Sequence, residues 1–129
     1  MTVGMATTLR NARLDAITTA AGSAAKLQIY DGTRPATGGT ATNKLAEFTM
    51  GSPFAAASAA GVLTITLPAN TTGLLAGTAT WARLVTSGAV FVQDMSVGTS
   101  GTDIVLNTTT ISIGVAVALT AASLTDGNP

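Results

Sequence analysis

At Gly22 the sequence changes from one pattern to another, and this change determines the fold class that we expect. Residues 7–21 are rich in Ala and Leu and contain neither Gly nor Pro, which is typical of a helix that ends at a glycine. After Gly22, short apolar runs alternate with clusters of Gly, Pro, Asn and Thr, which is typical of a sandwich or barrel. We therefore predict an all-β fold, a jelly-roll-like β-sandwich with one N-terminal α-helix at about residues 7–21.

The chain after Gly22 contains seven predicted strands. In the first, Leu27 and Ile29 alternate with polar residues, which is the period of a half-buried strand. Ser87-Gly88 lies between two apolar runs and predicts a tight hairpin. The predicted strands are residues 26–30, 45–50, 62–67, 78–86, 89–97, 103–106 and 110–124.

Two segments between these strands are predicted loops. Residues 32–43 are small and contain three glycines, so we expect this loop to be mobile or to become ordered against a partner. Residues 51–61 form the second loop, which packs Phe54 onto the sandwich. The length of 129 residues matches one ordinary domain, and we expect a single domain over residues 1–129.

The predicted helix is amphipathic on a helical wheel, with Thr7 or Thr8 as N-cap. Arg10 and Arg13 fall inside the apolar arc, so they extend outward to water or meet an acidic partner, and we favour the first alternative. Polar residues lie on the opposite face: Asn11, Asp15, Thr18 and Thr19. The apolar arc consists of Met5, Leu9, Ala12, Ala16 and Ala20, extended by Leu14, Ile17 and Ala21.

Composition excludes several classes of function. Six basic and six acidic residues cancel, so no strong field attracts nucleic acid or an anionic membrane. The chain has no Cys and therefore no thiol nucleophile. It has no His and therefore lacks the commonest general base and metal ligand. We expect no cofactor, no metal site, no secretory signal and no membrane span, because the most apolar stretch, residues 111–122, is too short and interrupted. We also expect no enzymatic activity.

Only 9% of the residues are charged, against about a quarter in an ordinary soluble domain. Such a surface suits a protein that packs against neighbours, although a soluble monomer with a surface of Thr, Ser, Asn and Gly is the alternative. Because aromatics are scarce, at 4%, we expect the single Trp, Trp81, to anchor the core.

Few residues remain as candidates for chemistry. Asp94 and Asp103 flank the segment Gly98-Thr99-Ser100-Gly101, which we interpret as the turn of a hairpin because no histidine is present to activate Ser100. The two carboxylates are turn-forming or solvated groups, or else a glycosidase-like pair or a calcium site.

Four arginines are candidate contacts with partner proteins. They are Arg10, Arg13, Arg34 and Arg83. Arg34 stands before Pro35 in the first loop, and its planar guanidinium suits a partner carboxylate; an exposed loop arginine without a role is the alternative.

Four segments together resemble a family of small virion proteins of tailed bacteriophages and prophages. They are residues 9–17, 27–35, 77–84 and 119–127. The resemblance implies a capsid cement or decoration protein that lies on the capsid surface, contacts the major capsid protein and copies of itself as a homo-oligomer or in many copies, and is made in the host cytoplasm. Arms at residues 1–6 and 32–43 then order on neighbouring subunits.

Two further hypotheses come from other classes of function. One is a neck, tail or fibre-anchoring component with an adhesive role. The other is a cell-wall glycan hydrolase that uses Asp94 and Asp103. The small number of aromatics disfavours a sugar-binding platform.

Overall fold

A computed structural model describes residues 4–126, in which the chain forms one α-helix and eleven β-strands. Residues 1–3 of the predicted arm at 1–6 and the end of the segment 119–127 lie outside the described residues. The helix α1 covers Thr7–Ala21. The strands are β1 (Lys26–Tyr30), β2 (Lys44–Thr49), β3 (Val62–Thr64), β4 (Thr71–Thr72), β5 (Gly77–Thr78), β6 (Trp81–Val85), β7 (Phe91–Gly98), β8 (Ile104–Leu106), β9 (Thr110–Ile111), β10 (Ala116–Val117) and β11 (Leu119–Thr125).

Seven of these strands form one curled sheet in the order β2-β1-β6-β7-β8-β11-β3. Two small sheets, β10-β4 and β5-β9, complete the strand pairing. Backbone hydrogen bonds continue beyond both edge strands, from Leu74 N to Leu45 O on β2 and from Thr66 N to Phe54 O beside β3. The predicted all-β class with one N-terminal helix is confirmed.

The central strands have one core face and one polar face. Leu27 and Ile29 on β1 lie beside Leu84 and Ala82 on β6, and all four side chains are fully buried. Burying each large aliphatic side chain contributes about 1.5–3 kcal/mol to folding. The alternation predicted for residues 26–30 is thus confirmed, and Phe54 from the second loop is buried in the same core, as predicted.

The helix begins and ends where the sequence predicts, but the face that it buries is different. Leu14 and Ala21 are buried and Ile17 packs on the core, whereas Leu9 is 50% exposed. Exposed residues also include Ala12, Ala16 and Ala20. The predicted central apolar arc is therefore wrong, because alanine contributes little burial energy and the larger Leu14 and Ile17 decide how the helix packs.

Polar residues of the helix fix it to the loop before β3. Asn11 Oδ1 accepts a hydrogen bond from Gly61 N at 2.9 Å, and Asp15 Oδ1 accepts one from Ser58 N at 2.8 Å. The predicted polar face of the helix therefore takes part in packing, at these two residues. Ala6 is the N-cap and makes no side-chain bond, so the predicted threonine cap is also wrong. Gly22 ends the helix at φ 69°, as predicted.

The remaining strand predictions hold in part. β6 and β7 form the predicted antiparallel hairpin around Ser87-Gly88. The predicted strand at 110–124 is wrong as one element, because it is divided into β9, β10 and β11. Residues 99–103 form a bend between β7 and β8, but these two strands pair in parallel, so the hairpin expected at residues 98–101 is wrong.

Candidate functional site

The polar face of the sheet carries a row of side chains across four neighbouring strands. Gln28 on β1 lies opposite Glu47 on one side and Arg83 on the other, and Arg83 lies opposite Asp94. Glu47 accepts hydrogen bonds from Gln28 at 3.0 Å and from Lys44 at 3.1 Å. Burial alone would raise the pKa of Glu47, but these bonds outweigh it, and the pKa lies below its ordinary value. The row therefore contains two separate hydrogen-bonded pairs, Gln28 with Glu47 and Arg83 with Asp94.

Arg83 is the most constrained member of this row. Its Nε donates to Asp94 Oδ1 at 2.8 Å and its Nη2 donates to Oδ2 at 3.2 Å. The guanidinium carbon lies 5.1 Å from the ring centroids of both Trp81 and Phe91. The hydrogen bonds to Asp94 raise the pKa of Arg83. The predicted contact of Arg83 with another subunit stays a prediction, and the intramolecular pair gives this arginine a role within the sheet.

Trp81 is buried, as predicted, but its place differs from the prediction. The ring is 2% exposed, yet it lies on the polar face, outside the main core cluster. It stacks on Tyr30 with centroids 4.5 Å apart, and burial raises the pKa of the Tyr30 hydroxyl. Its Nε1 donates to Asp31 O at 3.0 Å and to Thr42 Oγ1 at 3.1 Å. Trp81 therefore anchors a loop to the sheet.

That loop is the segment 32–43, and both of its ends are fixed by the chain itself. Asp31 accepts hydrogen bonds from Asn43 N at 3.1 Å and from Asn43 Nδ2 at 3.2 Å, and these bonds lower the pKa of Asp31. Thr80 Oγ1 donates to Gly32 O at the other end. The expectation that this loop is mobile or ordered only against a partner is therefore wrong for its ends.

A cavity of about 300 Å³, to which the loop contributes Arg34, brings several predicted residues together. Asp94, Asp103 and Arg34 all line it, with Ser96 and Trp81. Asp103 Oδ2 accepts hydrogen bonds from Ser96 N at 3.2 Å and from Ser96 Oγ at 3.1 Å. The two carboxylates thus share a cavity, as the sequence suggested, but Arg83 holds both oxygens of one of them. Between residues 4 and 126 there is no group of three or more potential ligands that could hold a metal ion.

Arg34 differs from the other charged residues. All six basic and all six acidic residues lie in the described part of the chain, and there only Arg34 has neither a hydrogen bond nor an ion pair. Its side chain is exposed. Of the four candidate arginines, it is the one with its donors available to a partner.

Arg10 and Arg13 both meet Asp126 near the end of the described chain. Arg10 Nη1 donates to the Asp126 carbonyl at 3.0 Å, and Arg13 Nε pairs with the Asp126 carboxylate at 3.1 Å. The favoured alternative, extension into water, is wrong for Arg10 and incomplete for Arg13, whose side chain is 55% exposed. Their contacts with partner proteins stay predictions.

Sequence reasoning missed two features of the protein surface. The strand alternation that places Leu27 and Ile29 in the core also places Gln28 and Tyr30 on the polar face, and this signal could have revealed the row of polar side chains. Four large exposed aliphatics were also missed, namely Leu74, Leu75, Ile113 and Val115.

No family model, curated protein or solved structure matches this chain. Across residues 4–126, no helix has the length and hydrophobicity that a membrane crossing requires.

Proposed function

We propose that this chain is a non-enzymatic structural protein of a tailed-phage virion, and specifically a cement protein that bridges major capsid subunits on the head surface. The observation that carries the proposal is that charged side chains bond within the chain whereas large aliphatic side chains are exposed. Eleven of the twelve charged side chains, all but Arg34, form bonds within the described chain, while large aliphatic side chains are exposed. The resemblance of four segments to small virion proteins supports the proposed class.

The first support is that the carboxylates of the polar face already have hydrogen-bond partners within the chain. Asp94 is held by Arg83, Glu47 by Lys44 and Gln28, and Asp103 by Ser96. Carboxylates engaged in this way stabilise the sheet, and they are poor candidates for a general acid and base, which need access to a substrate proton. We therefore retain the non-enzymatic interpretation and place the glycan hydrolase last.

The second support is the free guanidinium of Arg34. It projects from a loop whose ends are fixed by Asp31, Asn43 and Trp81. Binding through this loop therefore costs little backbone conformational entropy. A guanidinium forms two parallel hydrogen bonds with a carboxylate. An acidic side chain of the major capsid protein is the partner that this geometry suits.

The proposal includes the finer fold class, a jelly-roll-like β-sandwich. The small sheets β4-β10 and β5-β9, which lie outside the seven-stranded sheet, support it as parts of a second layer. A sandwich places loops and strand edges outward, where they bridge neighbouring subunits.

The mechanism is cumulative. One copy contributes a modest contact, but copies placed symmetrically over the shell bind together and resist internal DNA pressure as a set. Particles that carry the protein should therefore hold their DNA at higher temperature, because binding to the assembled shell alone stabilises that state by mass action.

The test uses particles of the encoding phage with the gene deleted. DNA release on heating is measured before and after addition of purified protein, with Arg34→Ala as the contact variant. Lys26→Ala is the matched control, since it removes one positive charge that bonds only Thr49 within the chain. We expect the wild type and Lys26→Ala to restore the release temperature, and Arg34→Ala to bind about tenfold more weakly or worse.

Two results would contradict the cement role. One is a release temperature that is the same with and without the protein. The other is binding at about a dozen copies or fewer, which would favour the neck, tail or fibre-anchoring role instead.

A further inference from the structure

The end of the fold around β4 and β10 exposes four large aliphatic side chains. Leu74 and Leu75 follow β4 and are 53% and 42% exposed, and Ile113 and Val115 precede β10 and are 67% and 56% exposed. We call these four residues the aliphatic patch. Single exposed aliphatics are ordinary on a protein surface, so what matters is whether the four lie together.

Backbone hydrogen bonds join the two halves of the aliphatic patch. Gly73 N donates to Val115 O at 3.0 Å, and Gly114 N donates to Gly73 O at 2.9 Å. Gly73 also forms a parallel bridge with Ile113. A Cβ on Gly73 would lie 2.1 Å from Ser112 O, so glycine is required for this close approach. The two segments that carry the four exposed side chains therefore lie close together on a fixed backbone.

Ile113 occupies an unusual place within this surface. Val115 N donates to Ser112 O at 3.2 Å, which closes a turn, and Gly114 supplies the positive φ of 75°. Ile113 thus stands at the tip, where Gly, Pro, Asn, Asp and Ser are the residues that turns favour. The turn does not need an isoleucine, and solvent disfavours one. A partner that covers it explains its presence.

The surroundings of the aliphatic patch determine which partner fits. Residues 48–82 and 104–125 contain no charged side chain. On the adjoining strand β2, Lys44 and Glu47 neutralise each other at 3.1 Å. The nearest remaining charge is Asp31, whose carboxylate lies beside Gly77 and accepts hydrogen bonds from Asn43. Two copies of this end can therefore face each other with few opposed like charges, whereas a charged partner surface would lose water and gain little counter-charge.

We propose that the aliphatic patch is the surface through which two copies of this chain associate. An isologous contact uses the same patch twice. A patch of this kind covers roughly 300–600 Å², so two copies bury about 600–1,200 Å², near the lower limit of about 1,000 Å² for a specific interface. The dimer is therefore weak in dilute solution and is favoured where a shell holds copies side by side.

This inference rests on the proposed function, because contact between copies is part of it, but its test needs no particle. Sedimentation of the purified protein is measured from about 1 μM to about 1 mM, a range that brackets weak association. Ile113→Asp places a charge at the centre of the contact. Val90→Asp is the matched control, since Val90 is 64% exposed on the β6–β7 hairpin. Ile113→Thr removes apolar surface and keeps the branched shape, should the aspartate disturb the turn.

We expect the wild type and Val90→Asp to dimerise with rising concentration, and Ile113→Asp and Ile113→Thr to dimerise at least about tenfold more weakly. A wild type that stays monomeric to about 1 mM overturns the inference. Equal weakening by Val90→Asp overturns it too, because another surface would then be in use. If Ile113→Asp abolishes binding to particles and the wild type is monomeric, the aliphatic patch contacts the shell instead, and the proposed function survives without this inference.

Discussion

Replacement of Arg83 by Met should be among the most damaging changes on the polar face. The Asp94 side chain is 2% exposed and the Arg83 side chain 11%, so Arg83→Met leaves a buried carboxylate without its two donors. Breaking a buried pair on one side costs about 3–5 kcal/mol. For a chain of this size the melting temperature should fall by about 3–6 °C per kcal/mol.

The double variant Arg83→Met/Asp94→Leu gives the sharper measurement. With both charges gone, no group is left unpaired, and such replacements are often neutral or stabilising. We expect the double variant to lie within about 1 kcal/mol of the wild type, so that the two single effects do not add. Circular dichroism in denaturant is the suitable assay, because changes at Arg83 alter the fluorescence of Trp81 directly.

Lys44→Met is the control for this cycle. It breaks the Lys44–Glu47 pair, whose side chains are 38% and 29% exposed, and such a pair contributes only about 0–1 kcal/mol. Additive costs in the Arg83/Asp94 double variant, or a loss from Lys44→Met as large as that from Arg83→Met, would refute the reasoning.

Two further predictions concern the helix and the first loop. Leu14→Ala should lower the free energy of unfolding by about 2–5 kcal/mol because Leu14 is 4% exposed. Leu9→Ala should change it by no more than about 0.5 kcal/mol. Equal losses of stability in denaturant unfolding would instead support the buried helix face expected from the sequence. The pKa of Asp31 is lowered by bonds from Asn43, so its contribution is present above the ordinary value of about 3.9 and is lost as pH falls through the lower folded value. Acid should therefore shift Trp81 emission to the red, and Asp31→Asn should reduce this shift; an unchanged shift in the variant would exclude Asp31 as its cause.

Local signals made part of this fold predictable. The helix Thr7–Ala21 and the strand Lys26–Tyr30 have the predicted bounds, because a glycine C-cap and strict alternation are read from neighbouring residues alone. The β6–β7 hairpin was predictable for the same reason. The predictions that were wrong concern features that depend on groups distant in sequence.

The helix face and the place of Trp81 are the clearest examples. Asn11 and Asp15 face inward because Gly61 and Ser58 donate to them, and no helical wheel contains those partners. Trp81 is covered by a loop that Asp31 and Asn43 hold down, rather than by the core. The burial of Trp81 was predictable from its residue type, but the loop that covers it was not.

The candidate site shows the same limit. The sequence identified Asp94 and Asp103 as a possible pair and Arg34 and Arg83 as separate candidates, and the fold brings the first three to one cavity. It could not show that Arg83 binds Asp94, because that pairing follows from the register of β6 on β7. Arg34 stands out only after every other charge has been assigned a partner.

The number of copies in purified virions tests the central claim most directly. Quantitative mass spectrometry of intact particles gives the ratio of this chain to the major capsid protein. A cement protein that bridges capsid subunits should be present in hundreds of copies, in a fixed ratio to the shell. A count of about a dozen or fewer, or absence from the particle, would contradict the account.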